Sequence, residues 1–129
     1  MQEQLVSFKT AKLLKEKGFN EPTIAYTYGK NMIDYFSKPK LVNEDSTAIQ
    51  SPTIGFAIQW LRETRNVQVE PYKNKFGWHF TVYNLNDADM SGCKKLFEES
   101  IFNAGRDSYE DAAEAGINYY LTHDLECIS

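Results

Sequence analysis

The sequence of 129 residues predicts an α+β fold in a single domain, in which an antiparallel β-hairpin or small sheet packs against two to three helices. Apolar side chains recur at intervals of three and four in residues 51–66 and then alternate with polar ones in residues 67–83. A second helical pattern fills residues 107–121. A chain of this length can bury about two thirds of its unfolded surface, so a core is expected without metals or disulfides.

Residues 1–22 are expected to contain an N-terminal helix, which runs from Glu3 to Lys17. One side of this helix is partly apolar, and several lysines lie on the solvent-facing side. Gly18 is well placed as the left-handed residue after the helix, and Phe19 can fold back on the last turn. Residues 23–50 form an aromatic region and a connector. Thr23–Phe36 is expected to be two short strands or an ordered aromatic loop, with a turn near 29–31 and an exposed connector over 38–50.

Residues 51–85 predict a capped helix followed by a β-hairpin. Ser51 is the expected N-cap and Pro52 the expected first-turn residue, because a missing N–H costs nothing there. Asn66 is expected to end the helix in a left-handed conformation. Two strands then follow, and their apolar face is expected to pack on the preceding helix; its members are Val67, Val69, Trp78, Phe80 and Val82.

Residues 86–129 combine a polar connector with a C-terminal helix. The segment 93–103 fits a short helix or a strand, and the helix is favoured. Either Asp107 with Glu110 or Ser108 with Asp111 can form the cap of the last helix. Gly116 in mid-helix costs about 1 kcal/mol of helix propensity relative to alanine, and a close approach to another backbone would compensate for this cost. The small side chains at 112, 113 and 116 are therefore expected against the sheet.

Composition and charge exclude several classes. No apolar run reaches membrane-spanning length, and the start shows no secretion signal, so a cytoplasmic location is expected. Cys93 and Cys127 are too few for a disulfide framework and are expected to be reduced thiols. The net charge of −4 is uneven: residues 1–43 hold seven lysines and four acids, whereas residues 76–129 hold three basic residues and ten acids.

No motif demands a reaction, so we expect no catalytic residue, no cofactor and no metal site, and an enzyme is the third choice of function. His79 and His123 are far apart in sequence, lack a third ligand and are expected on the surface. Cys93 has neighbouring lysines but no positioned base. Neighbouring acids such as Glu98 and Glu99 do not face one another as paired catalytic carboxylates must.

Three sequence blocks carry a resemblance: QEQLVSFKTAKLLKEKGFNE, SPTIGFAIQWLRETRNVQVEPY and DSYEDAAEAGINYYL. In this order, they resemble small uncharacterised proteins of phages, prophages and conjugative elements in Bacteroides-like bacteria. The blocks cover about half of the chain. The resemblance implies a bacterial host cytoplasm as the setting, and the family brings no activity, substrate or functional residue to transfer.

The leading functional hypothesis is a non-enzymatic accessory protein of such an element that binds a protein partner or itself, as a possible homo-oligomer. Aromatic residues exceed what a core of this size should absorb, and exposed tyrosines suit protein interfaces. The candidate partner-binding residues are Tyr26, Tyr28, Tyr35, Phe36 and Tyr72. The alternative is that most of these rings are core.

The second hypothesis is a nucleic-acid-binding module that uses the β-hairpin. Its candidate residues are Lys73, Lys75, His79 and Tyr83. The hairpin with its following helix is similar to the arm-binding domains of phage integrases. Those domains are basic, whereas the last part of this chain is strongly acidic, so the electrostatic attraction that normally supplies affinity is mostly missing.

Overall fold

The computed structural model of the protein describes residues 4–29, 32–43, 47–85, 94–99 and 105–123. Within these residues the chain forms three α-helices and two three-stranded antiparallel sheets, which confirms the predicted α+β class. The chain divides into two compact units, Met1–Ile54 and Gly55–Ser129, and each is described by itself. No helix in the described part combines the length and apolarity needed to cross a bilayer.

The first helix, α1, spans Phe8–Glu16. Ser7 caps it, because its side-chain oxygen accepts a hydrogen bond from the backbone N–H of Thr10, the third residue of the helix. Gly18 follows the helix with a φ of 100°, and the N–H of Phe19 donates to the carbonyl of Leu14 at 2.9 Å. This is the Schellman arrangement, and Phe19 is buried as predicted.

The second helix, α2, spans Ile54–Arg65, so the prediction that Ser51 caps it and Pro52 occupies its first turn is wrong. Leu5 forms an antiparallel bridge with Thr53, and this pairing holds both segments extended. The same pairing involves Leu5, so the prediction that the N-terminal helix begins at Glu3 is also wrong: α1 begins at Phe8. The predicted apolar stripe of α2 is buried; its buried members are Ile54, Ala57, Ile58, Trp60 and Leu61.

The first sheet has strands β1 (Thr23–Gly29), β2 (Met32–Lys40) and β3 (Ile49–Gln50), in the order β2–β1–β3. The structure thus selects two strands over an ordered loop for the aromatic region. The expected exposed connector is wrong at both ends, because β2 continues to Lys40 and the two residues of β3 are buried against β1.

The second sheet has strands β4 (Val67–Asn74), β5 (Gly77–Asn84) and β6 (Lys94–Glu98), in the order β4–β5–β6. Asn66 has a φ of 54°, which confirms that it ends α2 in the left-handed region. The helix favoured for residues 93–103 is wrong for β6, since that segment pairs with β5. The few apolar residues of this segment fit either a helix or a strand locally, and pairing with an existing strand decides between them.

The last helix, α3, spans Tyr109–His123 and packs on this sheet. Ser108 is its N-cap, because the hydroxyl of Ser108 accepts a hydrogen bond from the N–H of Asp111 at 3.1 Å. A Cβ at Gly116 would lie 2.5 Å from Cγ1 of Val69, so the helix backbone approaches the sheet closely, as predicted. The apolar face of the hairpin therefore packs on α3, whereas the sequence suggested the preceding helix.

Candidate functional site

Exposed apolar side chains are concentrated on the two faces of strands β1 and β2 and on the residue that follows them. Among the described residues, eight large hydrophobic side chains are exposed, and six of them lie between positions 24 and 41. We call these six the β1–β2 surface; they are Ile24 (46% exposed), Tyr28 (47%), Met32 (58%), Ile33 (47%), Tyr35 (57%) and Leu41 (41%). Exposed apolar side chains that are concentrated in one region of a protein mark interaction sites.

The alternation of β1 positions part of this surface. Thr23, Ala25 and Thr27 are buried on one side of the strand. The other side carries Ile24 and Tyr28, which are exposed, with Tyr26 half-buried between them. Since a strand turns alternate side chains to opposite faces, the sequence TIAYTYG places small side chains inside and large ones outside.

A groove of about 430 Å³ opens beside these rings. The ring of Tyr26 lies 4.6 Å from that of Phe36 and 5.5 Å from that of Tyr28, measured between centroids. The ammonium of Lys40 lies 5.7 Å from the Phe36 ring, within range of a cation–π interaction. The groove is lined by Tyr26, Tyr28, Phe36, Lys40, Leu41, Val42, Asn43 and Ala48.

The ionisation of Tyr26, which lines this groove, is perturbed. Desolvation raises its pKa above the ordinary value of 10.0, and a hydrogen bond with Tyr28 and the negative charge of Asp34 raise it further. The phenol therefore stays protonated, and it keeps its hydrogen-bond donor at the groove.

The outer edge of β2 is open, since no strand among the described residues pairs with it. The carbonyl of Ala25 accepts a hydrogen bond from the N–H of Ser51 at 3.0 Å, so the polar groups of Ala25 point to β3. Tyr35 stands opposite Ala25 and therefore points its own N–H away from β1. That N–H donates to Oδ1 of Asp34 at 3.1 Å.

Three of the five residues proposed from the sequence as partner-binding are in contact, because the Tyr26 ring lies against those of Tyr28 and Phe36. Tyr35 stands opposite Ala25 and therefore projects from the other face of the sheet. Tyr26, Tyr28, Tyr35 and Phe36 all lie on β1 and β2 of the first unit. Tyr72 lies on β4 of the second unit, where it is half-buried. None of the five is fully buried, so the alternative that these rings are core does not describe them.

The four residues proposed for nucleic acid are divided by the structure. Lys73 and Lys75 are exposed near the end of the β4–β5 hairpin, and Tyr83 is half-buried. His79 is only 1% exposed, so its expected surface position is wrong. The ring of Tyr72 stacks on it at 5.5 Å between centroids.

A partly buried polar network around His79 was not predicted from the sequence. Oε1 of Glu99 accepts hydrogen bonds from Arg106 at 2.6 Å and from the N–H of Phe80 at 3.2 Å, and it lies 3.7 Å from Nδ1 of His79. Nε2 of His79 lies 3.1 Å from Oδ1 of Asn74. The network joins residues that are distant in sequence, so no local pattern could have indicated it. It fastens residues 99 and 106 to β5, which is a structural role.

The other candidate chemical groups form no site in the described part. His123 is exposed at the end of α3, as expected. Cys93 and Cys127 lie outside the described residues. No cluster of three or more potential metal ligands occurs among the residues that the structure describes.

Comparison with known proteins adds no relative: no protein-family model, no curated protein and no solved structure matches the chain.

Proposed function

We propose that this chain acts by binding proteins through the β1–β2 surface, as a non-enzymatic accessory protein of a phage or other mobile genetic element. The observation that carries the proposal is the concentration of exposed apolar side chains on two strands of one unit. Aromatic residues and methionine are enriched in protein interfaces, and Tyr28, Tyr35 and Met32 supply both kinds. The genetic setting and the host cytoplasm rest on the resemblance of the three sequence blocks alone.

The rim of the surface supports the same function. Asp34 and Lys38 are exposed beside the apolar side chains. An apolar centre with a polar rim is the usual anatomy of a protein interface. Tyrosine also gives a large contact area with little loss of conformational freedom, which favours recognition by a small surface.

Site-specific photo-crosslinking tests the proposal. A photoreactive amino acid replaces Tyr28 or Tyr35 in the full chain, and Gln59 on the exposed side of α2 serves as the control position. Irradiation in bacterial cells that carry the native gene should give crosslinked protein at both tyrosine positions and not at the control. Excess wild-type chain should compete with the crosslink. Equal crosslinking at all three positions, or none at any, would contradict the proposal.

Nucleic-acid binding remains the alternative, and one observation favours it. Phe76 is 43% exposed at the hairpin end, and the ammonium of Lys75 lies 5.2 Å from its ring. A cation beside an exposed ring suits a stacked base. Gel retardation with single- and double-stranded DNA and RNA at rising salt separates the functions, because phosphate contacts weaken steeply as salt increases.

A further inference from the structure

We infer that the partner of the β1–β2 surface is a second copy of this chain, which pairs with it along the open edge of β2. The inference rests on the proposed function and names its partner. Each copy would donate β2 as an antiparallel neighbour of the other β2, about a two-fold axis close to Phe36. A closed two-fold contact uses the same surface on both copies.

The backbone of β2 has N–H and C=O groups that point outward and could pair with another strand. The N–H of Tyr35 points away from β1, and Ile33, two residues earlier on the strand, points its polar groups the same way. An edge with outward N–H and C=O groups binds another strand readily unless charges, proline or a covering segment prevent it. Proline and lysine occur only at positions 38–40 of the strand, and in the proposed pairing Tyr35 faces Ser37 of the second copy, which has both a backbone donor and a backbone acceptor.

The charges of β2 select an antiparallel second copy. Asp34 lies near the beginning of the strand, and Lys38 and Lys40 lie near its end. Two antiparallel copies centred at Phe36 place Asp34 of each opposite Lys38 of the other, whereas a parallel arrangement in the same register would place like charges together. Unlike charges opposite one another stabilise a strand pair, and like charges destabilise it.

Lys38 is the better partner for Asp34 of the two lysines. Lys40 already lies over the Phe36 ring, and its carbonyl accepts a hydrogen bond from the Gln50 side chain at 3.0 Å. In the single chain the carboxylate of Asp34 accepts the outward N–H of Tyr35. Pairing gives that N–H to a carbonyl of the second copy, and the carboxylate, which also interacts with the Tyr26 phenol, then faces the lysine.

The two side-chain surfaces then join across the axis. Residues directly opposite in an antiparallel pair project from the same face, so the two Phe36 rings stand side by side. Each ring already contacts Tyr26. The two Phe36–Tyr26 pairs therefore lie next to one another across the axis, on the same face of the combined sheet.

Sedimentation equilibrium of the full chain tests the inference. Wild-type protein should form a dimer that dissociates on dilution. Asp34→Lys and Lys38→Asp should each raise the dissociation constant by about tenfold or more, because both symmetric contacts become repulsive. The double exchange, Asp34→Lys with Lys38→Asp, should return the constant to near the wild-type value. Glu21→Lys, an exposed residue just before β1, makes the same charge change outside the strand and should have little effect.

The outcomes separate this inference from the proposed function. A strict monomer at all concentrations, or a dimer whose dissociation constant is the same in the single and double variants, would overturn the pairing through β2. Circular dichroism of each variant confirms that it is folded, and rescue in the double variant excludes misfolding as the cause of a single variant's loss. If the chain is a monomer but Tyr28 still crosslinks to a different protein, only the self-pairing fails.

Discussion

Gly116 shows how one missing side chain sets the distance between a helix and a sheet. An alanine there would gain about 1 kcal/mol of helix propensity at an exposed position. Here its Cβ would lie 2.5 Å from Cγ1 of Val69 and 3.1 Å from the Phe80 ring, and both side chains are buried. Valine has little rotamer freedom, so the helix or the strand must move. We expect Gly116→Ala to lower the free energy of unfolding by about 1–2 kcal/mol in denaturant titration.

A double-mutant cycle isolates this contact. Val69→Ala removes the atom that the new Cβ meets, so Gly116→Ala should cost less in the Val69→Ala background or become stabilising. If Gly116→Ala stabilises the wild-type chain by the full helix-propensity gain, the close approach of α3 to β4 is wrong.

Tyr26 gives the chain an alkaline pH dependence. Because folding raises its pKa above 10.0, protonated Tyr26 stabilises the fold fully below that pH, and the contribution is lost as the pH rises through the raised pKa. The free energy of unfolding should therefore fall more steeply above pH 10 in the wild type than in Tyr26→Phe. Tyr28→Phe removes one cause of the shift, so its slope should lie between the two. Identical slopes in all three proteins would refute the assignment.

The end of α1 is predicted by a single residue, the glycine that follows the helix. Gly18 has a φ of 100°, and a Cβ there would meet no atom within 4 Å. Any cost of Gly18→Ala is therefore backbone strain, and we expect a loss of about 1–2 kcal/mol in the free energy of unfolding. Gly29→Ala is the control, since its backbone is not left-handed and its Cβ would make an ordinary contact of 3.9 Å with Met32. A larger loss at Gly29 than at Gly18 would contradict this account.

Elements could be predicted where their signals are local, and they could not where pairing decides. The hairpin β4–β5 and helix α3 follow from periodicity, and Asn66 and Gly18 mark helix ends by their tolerance of left-handed backbone. The starts of α1 and α2 could not be predicted, because the bridge between Leu5 and Thr53 is made by residues far apart in sequence. The same reason applies to β6, whose short segment forms a strand by pairing with β5.

The candidate site was partly predictable for the same physical reason. The excess of aromatic residues over core capacity indicated Tyr28 and Tyr35, which are exposed. Ile33 and Met32 are exposed because β2 is an edge strand. No local sequence pattern predicts the order of strands in a sheet. His79 was misplaced because its burial depends on Tyr72 and on the distant Glu99.

At the scale of the whole molecule, the exposed apolar side chains should govern solution behaviour more than stability. Ile33→Thr combined with Tyr35→Thr keeps strand-forming residues but removes two side chains that are 47% and 57% exposed. The double variant should bind less hydrophobic dye and stay in solution at higher concentration, with the free energy of unfolding changed by no more than about 0.5 kcal/mol. Phe76→Thr, in the other unit, is the control and should change dye binding less. Equal effects would mean that the β1–β2 surface has no special role.

The shortness of β3 limits how far sheets built from this chain can grow. Once two copies have joined through β2, the outer strands of the combined sheet are the two β3 segments, each of only two residues. So short a strand offers too few backbone groups to recruit another chain. Assembly through β2 therefore terminates at a pair, and the same edge that invites association does not lead on to fibrils.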